Sequence, residues 1–376
     1  MTESKIKPKK PAWINSKVLA TVLLTKILIL TFAVQSFQII ADQPVTKFYN
    51  YFANWNRWDA VHYLNIAQNG YTAFGEDRFL IVFFPLYPAL IALFQVVFRD
   101  YLISAFIVSG IATIALGFVF RELVRLDYSE KIAQFSVLFL FIFPTSYFLH
   151  IPYTESLFLS LCIGSFLAAR KRFWIFAGIL GGLACLTRIN GLLLFPALAF
   201  EVWNEYQENK KLNRKWLALL IIPFGFSIYL AINYYVTGNP TMFMTYQREH
   251  WYRYFRFPWE GIWETFKKIY NNKPVDAQMY GVQEFLFVCI GLFATIIGWR
   301  YLRNSYRVWM IGNWLLFVST SFVLSVPRYT LSLFPLFILA GFLAVKNWWM
   351  NVFFTVWSIL FLAVFTIQFF RGWWAF

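Results

Sequence analysis

Stretches of apolar residues long enough to cross a bilayer recur along this chain, beginning near residues 17, 80, 101, 131, 154, 173, 216, 283, 307, 330 and 350. An α-helix rises about 1.5 Å per residue, so roughly 20 apolar residues span the hydrocarbon core. Once these runs are set aside, too little polar sequence remains for a soluble domain of useful size. The chain is 60% hydrophobic and 14% charged, more apolar surface than a soluble fold of 376 residues can hide. Its 45 Phe, 21 Tyr and 17 Trp suit a lipid-facing protein with aromatic belts at both interfaces. The expected fold class is therefore an all-α polytopic membrane protein, organised as one domain over residues 1–376. A net charge of +15 would suggest nucleic acid in a soluble protein. Here the basic residues read as anchors of connecting loops, and no nucleic-acid partner is expected. Cys162, Cys185 and Cys289 lie in apolar runs without metal-ligand spacing, so they read as small buried hydrophobes.

The basic connectors set the topology. Lys5, Lys7, Lys9, Lys10 and Lys17 precede the first run, which lacks a small-residue cleavage site and reads as an uncleaved helix with a cytoplasmic N-terminus. Arg170-Lys171-Arg172, the Lys210 to Lys215 cluster and Arg300, Arg303 and Arg307 belong on the same side. That holds only if residues 80–98 do not cross. Their opening Phe83-Phe84-Pro85-Leu86-Tyr87-Pro88 disfavours an uninterrupted helix, because proline lacks an N–H and clashes with the preceding turn. Segment 80–98 is accordingly expected as a juxtamembrane helix within a first external loop of about residues 42–100. Parity also requires residues 173–203 to form two short limbs that turn at Thr187-Arg188-Ile189-Asn190-Gly191, with Arg188 below the external surface. Residues 237–282 become a second external loop. About eleven crossings follow.

Residues of catalytic type gather on the external side. Asp59 follows Arg57 and Trp58, with His62 three residues later on the same helical face. Asp59 serves equally as a helix N-cap. His62 can orient the carboxylate, contact a phosphate or sit at the interface, and Arg57 can contact phosphate or snorkel. Glu155 opens a helix after Pro152, where an acid complements the helix dipole. A cation at membrane depth is costly unless paired, so Arg188 reads either as an ion-pair partner of Glu155 or another acid, or as a bidentate grip on phosphate. Arg328 is a second phosphate contact or an interfacial anchor. Gln247-Arg248-Glu249-His250-Trp251 reads as an amphipathic surface helix. No Gly-rich phosphate cradle is present. No metal is demanded, although a divalent ion shared by Asp59 and Glu155 is compatible with the residues.

Several motifs together resemble one family. Arg57-Trp58-Asp59-Ala60-Val61-His62-Tyr63, Ile66-Ala67, Gly70-Tyr71, Phe83 to Pro88, Tyr153-Thr154-Glu155-Ser156 and Thr187-Arg188-Ile189-Asn190-Gly191-Leu192 resemble the GPI mannosyltransferase II family, with a weaker echo in Pro327-Arg328-Tyr329. Its members are polytopic GT-C glycosyltransferases that use a lipid-phosphate sugar donor. The resemblance covers the N-terminal half, and a chain shorter and simpler than eukaryotic members is expected to be a prokaryotic relative. It implies a GT-C-like bundle with a surface helix in the first external loop, and a catalytic acid there that matches Asp59. It further implies transfer of a sugar, mannose being expected, with inversion, from a polyprenyl- or dolichyl-phosphate donor to an external glycan or glycolipid. In that frame Asp59, Glu155 and His62 are the catalytic candidates. Arg188, Arg328 and Arg57 are the phosphate-binding ones, and Tyr153, Asn190 and Trp58 the substrate-binding ones. The competing class is a lipid or sugar transporter, which would favour internal repeats; none is evident. The location expected is the plasma membrane of a prokaryote or the endoplasmic reticulum of a eukaryote.

Overall fold

The computed structural model describes residues 15–40, 48–271 and 273–376. Lys5, Lys7, Lys9 and Lys10 and the start of the first external loop lie outside the described residues. The chain is an all-α integral membrane protein that crosses the bilayer several times. Among the described residues there is no strand, and one isolated antiparallel bridge joins Phe255 to Thr320.

Among the described residues, five helices are long and apolar enough to cross a membrane: Ser16–Ile40, Tyr101–Arg125, Arg214–Thr237, Gln278–Tyr301 and Trp348–Phe370. Their starts carry local signals. Asn15 accepts from the amides of Lys17 and Val18, Asp100 from that of Ile103, and Asn347 from that of Trp349, so each cap satisfies an orphan donor of a first turn. The other expected crossings are shorter: Glu130–Ile142, Glu155–Arg170, Trp174–Cys185, Leu194–Asn209, Asn304–Val318 and Pro335–Lys346. They are interrupted where 3₁₀ turns and irregular backbone occupy residues 143–154, 186–193 and 319–334. Irregular backbone at membrane depth is tolerated where protein groups satisfy it. Apolar length alone could not reveal these breaks.

The expected turn at residues 187–191 is present, but its limbs diverge. Trp174–Cys185 packs on Glu155–Arg170, and Leu194–Asn209 packs on Asn304–Val318. Gly191 sits where a Cβ would come within 2.5 Å of the Cys185 amide nitrogen, so this crossing admits no larger residue without movement.

Two ion-pair groups mark the basic end of the bundle. Arg170 forms a bidentate pair with Asp127 at 2.7 Å, and Arg303 pairs with Glu201 at 3.0 Å. Arg170 and Arg303 each also approach the other's acid, at 3.8 and 3.6 Å. Three connectors expected on the cytoplasmic face thus meet. Lys17 and Val18, at the start of the first helix, line one hollow with Gln134 and Val137 from the first and middle turns of Glu130–Ile142. With Ser16–Ile40 and Tyr101–Arg125 as two crossings between them, this placement agrees with the expectation that Leu86–Phe98 does not cross. That helix meets the preceding turn Glu76–Val82 at 109°, breaking at Phe83-Phe84-Pro85, and it packs on Tyr101–Arg125 and Asp59–Asn69.

Candidate active site

The far end of Glu155–Arg170 lies roughly 24 Å from Arg170 at 1.5 Å per residue, and there the broken helices converge. Hydroxyl groups staple the quoted motifs to one another. The Tyr71 hydroxyl donates to the Phe83 carbonyl at 2.6 Å, and the Leu86 amide to the Leu186 carbonyl at 2.9 Å. Tyr87 and Ser109 share a 2.7 Å hydroxyl contact, and the Ser109 hydroxyl reaches the Tyr153 carbonyl at 3.3 Å. The Tyr153 hydroxyl donates to the Arg57 carbonyl at 3.0 Å. Each of these buried polar groups finds a partner, and the partners come from separate motifs.

Within this scaffold lies a chain of alternating charge. Arg328 Nη1 donates to Asp59 Oδ2 at 2.9 Å, and its Nε lies 3.3 Å from Glu155 Oε1. Arg188 Nη1 reaches the same Glu155 oxygen at 2.5 Å and the Thr154 hydroxyl at 3.2 Å. Arg328 also lies over the rings of Phe148, Tyr153 and Tyr329, between 5.1 and 5.4 Å from their centroids. Cation–π contacts of this kind partly replace lost hydration. The centre of the chain is the most buried part: the Glu155 and Arg328 side chains are 4% and 9% exposed, against 16% for Arg188 and 27% for Asp59. Asp59 is the most exposed member. Glu155 Oε2 is buried and has no hydrogen-bond partner among the described residues.

Three groups that carried no assigned role in the sequence complete the site. Arg253, from the second external loop, donates to the Tyr329 hydroxyl at 3.1 Å and to the Leu324 carbonyl at 3.3 Å. Tyr329 also accepts from Arg328 at 3.4 Å, so its ring and hydroxyl link cations from distant segments. Glu284 is fully buried and accepts from the amides of Ser325 and Val326 at 2.6 and 2.8 Å. It thereby caps the short helix Val326–Tyr329 that carries Arg328. The Thr145 hydroxyl holds the same turn at the Pro327 carbonyl, 2.8 Å away. The sequence signal for Tyr329 lay in Pro327-Arg328-Tyr329; Arg253 and Glu284 belong to the stretch where no motif was quoted.

The remaining candidates take other positions. Arg57 turns its guanidinium to the Asn54 carbonyl at 2.8 Å and contributes its backbone oxygen to Tyr153. Asn190 donates to Asn313 at 2.8 Å and joins two helices. Tyr153 is buried beneath Arg328. Trp58 is half-exposed, packs edge-on against Trp374 at 5.1 Å, and has φ 54°. Positive φ in a large L-residue costs about 1–3 kcal/mol, and here it falls immediately before Asp59. His62 packs against Phe83 at 5.0 Å and Trp251 at 5.6 Å, and burial pushes its imidazole below the usual range despite the neighbouring Asp59. The surface helix expected at Gln247–Trp251 is only partly present: the helix runs Met242–Glu249, packs on Glu76–Val82, and ends before His250 and Trp251. It brings His250 onto the Phe79 ring at 4.1 Å.

A divalent ion between the two carboxylates does not fit this arrangement, because the Arg328 guanidinium occupies that space. Among the described residues no group of three or more His, Cys, Asp or Glu could hold a metal.

Comparison with solved structures places this architecture. The chain is similar over 94% of its length to ArnT from Cupriavidus metallidurans bound to undecaprenyl phosphate, with TM-score 0.50, 16% identity and 72% of that chain covered. It is likewise similar over 97% of its length to the apo oligosaccharyltransferase of Archaeoglobus fulgidus, with TM-score 0.50, 11% identity and 57% of that chain covered. The fold is that of the GT-C glycosyltransferases. Within the chain, residues 84–232 match the family model described as dolichyl-phosphate-mannose-protein mannosyltransferase. GPI mannosyltransferase 2 of Schizosaccharomyces pombe is 23% identical over 227 residues, covering 53% of this chain. The match spans about half of that relative, 47% of its length. The resemblance carried by the motifs is thus supported at the level of the family.

Proposed function

We infer that this GT-C protein is a membrane glycosyltransferase that moves a sugar, mannose in the first instance, from a polyprenyl- or dolichyl-phosphate donor to a hydroxyl of an external glycan or glycolipid. One observation carries the reading: a partly exposed carboxylate, Asp59, is paired with a buried guanidinium that shares an acid with a second one. A lipid-linked phosphate sugar needs both halves of that arrangement. The family model and the GPI mannosyltransferase relative support the mannosyl donor; ArnT, whose structure holds undecaprenyl phosphate, supports the lipid phosphate.

The residues divide the work as follows. The acceptor oxygen attacks the anomeric carbon from the face opposite the phosphate, and the bond from that carbon to the phosphate oxygen breaks. The electron pair leaves with the polyprenyl phosphate, and the configuration inverts. Asp59 takes the acceptor proton as the new bond forms, a role worth about 10²- to 10⁴-fold. No general acid is needed, since the phosphate is already a good leaving group. Arg188 and Arg328 stabilise the charge that grows on the departing phosphate, and preorganised guanidiniums do this without reorganisation cost. Glu155 holds both cations at one oxygen, which keeps two like charges close enough to share a phosphate. Arg253 adds a positive charge behind Tyr329, beyond the two that pair with Asp59 and Glu155.

The test is sugar transfer by the purified protein from polyprenyl-phosphate-mannose into a membrane extract, with product identified by mass. Wild-type protein is expected to form product and Asp59→Asn to lose nearly all turnover while remaining folded. Undiminished turnover in Asp59→Asn removes Asp59 as the base.

A further inference from the structure

The second external loop contains a hollow that the catalytic cluster does not use. It is a shallow depression, open to solvent, of about 510 Å³, lined by Tyr252, Tyr254, Arg256, Glu264, Lys268, Ser321 and Phe322. Its walls are tied down at several points. The Ser321 amide donates to the Tyr254 carbonyl at 2.9 Å, and the Ser321 hydroxyl to the Tyr252 carbonyl at 2.7 Å. Gly261 brings helix Pro258–Asn271 so close to residues 318–320 that a Cβ would lie 2.6 Å from the Thr320 carbonyl oxygen. Tyr252 itself has φ 54°, a turn that leaves its side chain 70% exposed. The next residue, Arg253, points the other way, into Tyr329 beside Arg328. One backbone step therefore separates the hollow from the charge chain that ends at Asp59.

The lining chemistry is specific. The Tyr252 ring has no aromatic or cationic neighbour packed on it among the described residues. Arg256 and Glu264 present planar donors and acceptors, each already braced by a neighbour: Arg256 by Glu260 at 3.1 Å and Glu264 by Lys267 at 2.8 Å. Lys268 is fixed over Phe322 at 4.8 Å. An open aromatic face beside a fork of opposite charges suits a pyranose ring, whose C–H face packs on the aromatic quadrupole while its hydroxyls pair with guanidinium and carboxylate. A lipid tail would strip water from those ion pairs without offering them a hydrogen bond, and an inorganic anion would meet Glu264.

We propose that this hollow binds the glycan portion of the acceptor, with Tyr252 as the stacking platform and Arg256 and Glu264 reading its hydroxyls. The proposal rests on the transferase reading but is testable apart from it. The full chain in nanodiscs is examined by saturation-transfer NMR with methyl α-D-mannopyranoside as the probe. Wild-type protein and Asp59→Asn are expected to give equal transfer to the sugar, and Tyr252→Ala and Arg256→Ala to weaken it about tenfold, near 1.4 kcal/mol. Both groove residues are solvent-exposed, and unchanged melting temperatures confirm that the variants fold. No transfer to wild-type protein, or equal transfer to both groove variants, overturns the groove. Groove binding that follows this pattern while wild-type protein transfers no sugar leaves the groove standing and sinks the enzymatic reading alone.

Discussion

Arg328 donates to the Asp59 carboxylate at 2.9 Å across 269 residues of sequence, while its own Nε faces Glu155 at 3.3 Å. Arg188 pairs with one acid among the described residues, Glu155. The two arginines, similar as phosphate candidates in sequence, therefore differ in what their loss leaves behind.

Arg328→Ala strands Asp59 without a partner and weakens the hold on Glu155. Breaking a buried pair from one side costs about 3–5 kcal/mol, so this variant is expected to melt at markedly lower temperature and to lose activity together. Arg188→Ala leaves Glu155 with Arg328. It is expected to fold with a loss of about 1.5–3 kcal/mol at most and to show its main defect as a raised donor KM. Thermal melting and donor titration, done side by side, separate the two; equal melting temperatures would contradict this division.

Glu284 acts on the site through backbone. Its carboxylate accepts two amide hydrogen bonds that start the helix bearing Arg328, and Ser325 there has φ 66°. Glu284→Gln keeps one acceptor oxygen but sets its NH₂ against the other backbone N–H, so it is expected to retain activity between wild-type protein and Glu284→Ala. Glu284→Ala leaves two buried donors unpaired, which costs about 1–3 kcal/mol each, and should lower kcat more than it changes donor KM. A positioning role predicts that the glutamine variant rescues part of kcat; failure of that rescue points instead to a need for the negative charge.

His62 gives the fold a pH dependence of defined sign. Burial holds its folded-state titration below the ordinary value near 6.5. The unfolded chain therefore binds the proton more readily, and stability rises with pH through the window between the two values. It is fully present above about 6.5 and is lost as pH falls below it. Melting curves between pH 5 and 8 are expected to show a steeper acid decline for wild-type protein than for His62→Phe. Parallel slopes for the two proteins would assign the acid sensitivity to other groups.

How much of this was readable follows from range. The helical bundle, the turn at Thr187–Gly191 and the break at Phe83-Phe84-Pro85 rest on apolar run length, charge placement and proline, all local properties. The alternative partner for Arg188, an ion pair with Glu155, also followed from the cost of an isolated buried charge, and that pair is present. The Asp59–Arg328 pair had no local signature, because nothing near either residue specifies the other. Helical spacing placed His62 and Asp59 on one face, but Phe83 and Trp251, from segments far apart, enclose the ring. Glu284 carries no local signature either, because its role depends on a turn 41 residues later.

The end-to-end arrangement of the bundle makes a final prediction. Lys17 and Gln134 line one hollow, and Asp127 pairs with Arg170, so the connector between Tyr101–Arg125 and Glu130–Ile142 lies on the side of the first helix's start. Arg99, at the exposed turn that follows Leu86–Phe98, lies at the opposite end of Tyr101–Arg125. With Cys289 replaced by Ser, the remaining Cys162 and Cys185 are buried and silent. In right-side-out membranes, Arg99→Cys is expected to react with a membrane-impermeant maleimide and Leu126→Cys to react only after permeabilisation. Because a non-crossing Leu86–Phe98 requires both outcomes, external labelling of Leu126→Cys would place that helix across the bilayer and move every later connector to the other side.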